Sequence, residues 1–91
     1  DTPPKPVYME NPVHPYYLVK QGIDGVVIVD FVVDIDGSVT RVHVVDSPHP
    51  GLSEAVVNAV KKCKFVPGTR DGIPARCKMR VPFTFDLKKE K

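Results

Sequence analysis

The stretch GVVIVDFVVDIDGSVTRVHVVDS, residues 25–47, sets two β-rich runs on either side of Asp36-Gly37. Branched apolar residues fit a pleated strand, and Asp-Gly between two such runs favours a tight type I′ hairpin. With Asp36-Gly37 as a two-residue loop, Phe31 stands opposite Val42, Val29 opposite Val44 and Val27 opposite Asp46. One face of the hairpin is then almost wholly apolar. The other carries Asp30 opposite His43, Val32 opposite Arg41 and Asp34 opposite Val39. Such a division is that of an antiparallel sheet covered on one side only.

Working outward, Leu52, Ala55, Val56, Ala59, Val60 and Cys63 recur at helical spacing, and Ser53 or Gly51 is placed to cap that helix. The stripe must face the sheet. The glycines and prolines of KFVPGTRDGIP, residues 64–74, end the helix. From Ala75 to Leu87 the inward set Ala75, Cys77, Met79, Val81, Phe83 and Phe85 alternates with Arg76, Lys78, Arg80, Pro82, Thr84 and Asp86. That is a half-buried strand with a basic outer face, and Pro82 inside it places the strand at a sheet edge. Upstream, Pro15 to Gln21 reads as a short helix stopped by Gly22. Five of the ten prolines lie within the first fifteen residues, so DTPPKP is expected to be extended, the end of a linker. The expected organisation is residues 1–10 as linker end and 11–91 as one domain. Its fold class is α+β: two layers, an antiparallel sheet of about three strands with two helices on one face.

A chain of 91 residues has room for one core. Its apolar share of 42% and charged share of 26% are those of an ordinary globular domain, and no run approaches the roughly 18 apolar residues of a membrane span. The chain opens on Asp1-Thr2-Pro3-Pro4 without a signal-peptide pattern and is expected to be a piece of a longer protein. A net charge of +2 gives no argument for nucleic acid, although several cations fall between Lys61 and Lys91. Cys63 and Cys77 read as buried thiols, a disulfide or half of a metal site, but neither stands at zinc-ligand spacing with a further Cys or His.

No catalytic constellation emerges. His14 lies in a proline segment, His43 on a polar strand face beside Asp30, and His49 in a proline loop, none in a nucleophile motif. Asp34 and Asp36 flank a turn, where aspartate bonds the local backbone. The expectation is a non-enzyme with no cofactor and no metal. What remains is the basic edge: Arg76, Lys78, Arg80 and Pro82 fit protection against accidental strand pairing, and equally a docking edge for a partner strand.

At this point a resemblance enters. His14-Pro15, Asp24-Gly25-Val26-Val27, Asp36-Gly37-Ser38-Val39, Phe65-Val66-Pro67-Gly68 and Val81-Pro82-Phe83-Thr84-Phe85, in this order and spacing, resemble the C-terminal domain of the TonB family of Gram-negative energy transducers. The likeness runs from about Pro12 to the end. It implies a periplasmic domain whose parent protein is anchored in the inner membrane, with ExbB and ExbD as partners of the missing N-terminal part. It also implies an outer-membrane transporter whose short TonB box adds as a strand beside Ala75–Leu87, so that proton-motive energy drives uptake of iron chelates or vitamin B12. Asn11, Pro12, Val13 and His14, before the first helix, would touch the same partner, together with Arg76, Lys78, Arg80 and Pro82. A homodimer by exchange of terminal strands is a further implication.

Two regions depart from the family pattern. His14 replaces the usual tyrosine of Tyr-Pro, and Asn11-Pro12-Val13 replaces Gln-Pro-Gln, so contacts of glutamine amides do not carry over. Cys63 stands where a large aromatic is common, with Cys77 expected on the same side of the sheet. In an oxidising periplasm a Cys63–Cys77 disulfide is the expectation, a crosslink of about 3 kcal/mol, against two buried thiols. Two other readings compete: the same domain in an envelope protein serving sensing, motility or cell-wall attachment, and a small envelope hydrolase or metal-binding protein using His14, His43 and His49.

Overall fold

Val27, Val29, Phe31 and Val33 are almost wholly shielded from water while Val26, Ile28, Asp30 and Val32 between them are not, so one strand carries the floor of the core. In the computed structural model, which describes residues 1–87, this strand is β2 (Gly25–Val33). Around it stand β1 (Lys5–Tyr8), α1 (Tyr16–Lys20), β3 (Val39–Asp46), α2 (Pro50–Val60), β4 (Lys64–Val66), β5 (Gly68–Arg70), β6 (Ile73–Ala75) and β7 (Cys77–Phe85). The central sheet is antiparallel with order β3-β2-β7, and β1-β4 and β5-β6 form two-stranded ribbons. Leu18 of α1 and Leu52, Val56 and Val60 of α2 close over the apolar face, joined by Phe65 and Phe85. The expected fold class, a sheet of three strands with two helices on one face, is the observed one.

The hairpin that decides the fold has a different loop from the expected one. Asp34 N–H donates to Ser38 O and Gly37 N–H to Asp34 O, both at 2.9 Å, and only Gly37 has a positive φ, 86°. This is a three-residue loop, a turn followed by a left-handed glycine. Ser38 gives both its N–H and its hydroxyl to Asp36 Oδ1, which fixes Asp36 in the turn. The register near the loop is therefore one residue off the expected: Val33 faces Val39 and Val32 faces Thr40. A bulge at Arg41, itself at φ 53°, absorbs the difference, so Asp30 faces His43 and Val29 faces Val44 as expected. A second irregularity then places Asp46 opposite Ile28 instead of Val27. A type I′ turn occurs instead at a later Asp-Gly pair, Asp71 (φ 54°) and Gly72 (φ 78°), between Arg70 and Ile73.

Three further boundaries move. The cap of α2 is His49, not Ser53 or Gly51: its Nδ1 accepts the Gly51 N–H at 2.9 Å, and Pro50 supplies a preset φ in the first turn. Helix α1 ends as expected at Gly22, with Ile23 N–H bonded to Leu18 O and Gly22 N–H to Val19 O. Only Leu18 of α1 is buried; Tyr16 and Tyr17 stand largely exposed, Tyr16 under Lys20 Nζ and Tyr17 edge-on to His49. The last strand runs from Cys77 to Phe85, because Ala75 belongs to the β5-β6 ribbon. Residues 5–8, within the stretch read as a linker end, pair with β4.

The two Asp-Gly turns separate conformational cost from crowding. An added Cβ at Gly37 would run into the Phe65 carbonyl oxygen, whereas at Gly72 it would meet nothing within 4 Å. Gly72→Ala is expected to cost about 1 kcal/mol and Gly37→Ala about 3 kcal/mol, read from urea denaturation, since only the second adds a clash to the positive φ. Equal losses would show that β4 does not rest on the hairpin loop.

Candidate docking edge

β7 lies in register with β2 over its whole length, from Gly25 opposite Phe85 to Val33 opposite Cys77, with no shift. Backbone groups of successive strand residues point to alternate sides. Because Asp34 bonds Ser38, the even-numbered residues of β2 direct theirs toward β3 and the odd-numbered toward β7. In β7 the residues bonded to β2 are then Cys77, Met79, Val81, Phe83 and Phe85. Lys78, Arg80, Pro82 and Thr84 turn their backbone outward, where among the described residues no strand pairs with them. Pro82 thus sits where its missing N–H removes nothing from the sheet. An arriving strand would find donors at Lys78, Arg80 and Thr84 and carbonyl acceptors at all four.

The side chains of the same residues cover the uncovered face of the sheet. Arg80 grips Asp30 with two bonds, Nε to Oδ1 at 2.7 Å and Nη2 to Oδ2 at 3.0 Å, and Arg76 Nε donates to Asp34 Oδ1 at 3.1 Å. The Arg80 hydrogen bond, followed by its charge and those of His43 and Lys78, holds the Asp30 carboxyl below the usual range, and Asp30 raises Arg80 in turn. The Ile35 N–H and then Arg76 lower Asp34. Lys78 stands opposite Val32 and has no carboxylate across from it. With Arg41 and His43 it rims a shallow hollow of about 490 Å³ over Asp30 and Val32.

Of the residues expected at the partner site, Arg76, Lys78, Arg80 and Pro82 lie together along or just before β7. His14 reaches its far end: the ring meets Phe85 edge-on at 5.2 Å and Nε2 bonds Ile23 O at 2.9 Å. Asn11 and Val13 open instead onto a cleft of about 440 Å³ with Tyr17 and the outer face of α2. Pro12 lies between them. The Asp30–Arg80 and Asp34–Arg76 pairs escaped the sequence reading, because nothing local encodes the register between β2 and β7. Asp30 gives its carboxylate to Arg80 and not to His43. Among the described residues no group of three His, Cys, Asp or Glu side chains gathers as metal ligands do.

The cysteines differ from the expected disulfide. Each is a separate thiol, Cys63, just past α2, donating back to Ala59 O of the helix at 3.4 Å and Cys77 to Ala75 O at 3.7 Å across the β6–β7 junction. Cys77 packs against Gly68, so the two sulfurs serve different local contacts. Thiol titration in denaturant without reductant should count two free thiols per chain, and none would restore the disulfide.

The domain is thus an α+β fold that buries one sheet face under two helices and, among the described residues, leaves one regular edge strand, β7, unpaired on its outer side. The chain belongs to the family of Gram-negative bacterial TonB protein C-terminal domains, whose sequence profile it matches over residues 10–87. It is 36% identical over 80 residues to protein TonB of Xanthomonas campestris pv. campestris, covering 87% of this chain and 36% of that protein. Against protein TonB of Vibrio cholerae it is 29% identical over 87 residues, covering 91% and 36%. The chain therefore spans about a third of the length of these curated relatives. The solution NMR structure of the Pseudomonas aeruginosa TonB C-terminal domain superposes with a TM-score of 0.82 at 29% identity, covering 100% of this chain and 93% of that one. That of Helicobacter pylori TonB, residues 194–285, gives 0.61 at 26% identity, covering 87% and 84%.

A depressed carboxyl contributes stability above its ordinary range and loses it as the pH falls through the lowered native value. Asp30→Asn should therefore lower the urea midpoint at pH 7. The gap from the wild type should close as the pH drops below the ordinary aspartate value of about 3.9. A gap that persists into acid would assign the loss to packing and not to the Arg80 pair.

Proposed function

We propose that this domain is the periplasmic docking end of a TonB-type energy transducer and takes a short segment of an outer-membrane transporter, the TonB box, as an added strand on β7. The observation that carries this is the nine-residue, unshifted strand whose outer backbone groups are unpaired among the described residues. Strand addition gains affinity from main-chain bonds and specificity from side-chain neighbours. Here those neighbours are Lys78, Arg80 and Pro82, with Arg76 at the start of the edge and His14 at the other end. Asn11, Pro12 and Val13 continue from His14 into the cleft over α2 and form the second part of the partner contact. Non-catalytic work of this kind needs no cofactor.

Residues 1–10 are the foot of a proline-rich spacer leading to an inner-membrane anchor, where ExbB and ExbD couple the protein to the proton gradient. That gradient supplies about 2.3 kcal/mol per charge and 100 mV. A docked strand held by several backbone bonds of about 1 kcal/mol net each is a link of matching strength. The same edge is where a second copy of the domain would pair.

The parity of β7 makes the test specific. A peptide carrying the TonB box of a cognate transporter should shift the amide signals of Lys78, Arg80 and Thr84 more than those of Met79 or Val81. Thr84→Pro removes an outward donor only, so it should weaken the peptide about fivefold or more while leaving the melting temperature nearly unchanged. Unmoved signals along β7 would remove this edge as the binding site.

A further inference from the structure

We propose that the side of the domain formed by β4 and β5 is a second strand-accepting edge, and that its ligand is the chain's own residues 1–8, held as a strap releasable from the Asp1 end. Thr2 and Thr69 exchange both backbone bonds, at 3.1 and 3.0 Å, and their hydroxyls meet at 2.8 Å. The Asp71 N–H donates to Asp1 Oδ1 at 2.9 Å. Further along, Lys5, Pro6 and Tyr8 pair with Val66, Phe65 and Lys64. Gly68 lies under the strap: an added Cβ would stand 2.6 Å from Cys77 Sγ, 2.9 Å from Thr2 O and 3.2 Å from Pro4 Cδ, so a side chain here would crowd both β7 and the strap.

The strap is bonded but not buried. All four residues of β1 are exposed, Val7 by 66% and Tyr8 by 50%. An element held by backbone bonds with few apolar contacts belongs to the low-stability end of a structure and opens without the core. Phe65 gives its N–H to Gly37 O, so its neighbours Lys64 and Val66 face β1, Lys5 faces β4, and Pro6 turns its nitrogen outward. The strap thus fills one edge and, at Pro6, offers no donor to a third strand. Because the strap starts with Thr2 beside Thr69 and continues into β1 antiparallel to β4, tension from upstream would break its bonds from the Asp1 end, one pair at a time. Its residues 1–8 would free about 26 Å of chain, at roughly 3.3 Å per residue. The family profile starts at residue 10, outside the strap.

This inference stands apart from docking at β7, and its test uses no transporter peptide. Amide exchange in the intact chain should be roughly a hundredfold faster at Val66 and Thr69 than at Val29 and Val81, which hold the central sheet. The double variant Thr2→Pro, Lys5→Pro of the intact domain removes the two strap donors nearest the Asp1 end. It should speed Val66 and Thr69 by a further tenfold or so with Val29 and Val81 unchanged. A synthetic peptide of residues 1–10, added to that variant at several millimolar to match the roughly millimolar effective concentration of a tethered segment, should return the Val66 and Thr69 signals toward their wild-type positions. Exchange at Thr69 that tracks Val81 in the wild type would overturn the releasable strap. Signals that ignore the added peptide would overturn the accepting edge.

Discussion

Pairing of β2 on both sides is the constraint from which the rest follows. Its residues must satisfy β3 with one set of backbone groups and β7 with the other, while alternate side chains fill the core. Val27, Val29, Phe31 and Val33 supply both the inward side chains and the bonds to β7, so burial and register on that side are locked together. A one-residue slip of β7 would turn Met79, Val81 and Phe83 outward and Lys78 and Arg80 toward the helices, which the core cannot accept. No such lock acts on the β3 side, where Arg41, His43 and Val45 are exposed, and the irregularities occur there.

The exposed edges are treated in three different ways. β3 is interrupted twice and carries Arg41 in a left-handed conformation, a geometry to which a straight strand cannot be added. β4 is covered by β1, with Pro6 facing out. β7 alone among these is long, regular and uncovered, with a single proline that costs the sheet nothing. Its cations do less to shield it than their number implies, because Arg80 and Arg76 are turned onto Asp30 and Asp34. These pairs are solvent-exposed and add little stability; their effect is to leave Lys78 as the cation in mid-edge without a carboxylate opposite.

What the sequence disclosed follows from which signals are local. The strands around Asp36-Gly37, the stripe of α2, the stop at Gly22 and the alternation from Cys77 to Phe85 all have a period within a few residues, and each appears in the structure. The three-residue loop does not have such a signal, since Asp-Gly suits both turn types and the choice is set by Phe65 bonding Gly37 from 28 positions away. β1 is hidden for a related reason: five prolines or charges among DTPPKP read as a free extended chain, and only the distant Gly68 and Thr69 show what it lies on. At the edge, the residue types of β7 were legible but their partners were not. Asp30 looked toward His43 in its own hairpin, whereas the planar fork of Arg80 outcompetes an imidazole for the carboxylate.

The proposed docking edge and the strap on β4 would also differ in how they bear load. A strand added along β7 and pulled lengthwise strains its bonds together, and behind them the nine registered pairs between β7 and β2. The strap on β4 is pulled from one end of an antiparallel pairing, so its bonds meet the load in turn. The same kind of hydrogen bond is therefore strong collectively in the first geometry and weak individually in the second. Under the proposed docking function the order of loading would be slack first from residues 1–8, with the sheet loaded only after Asn11 to Pro15 are drawn tight against Ile23 and Phe85 through His14. Rigid Pro12 and Pro15 on either side of that histidine would make it, under the same proposal, the point where a pull enters the core.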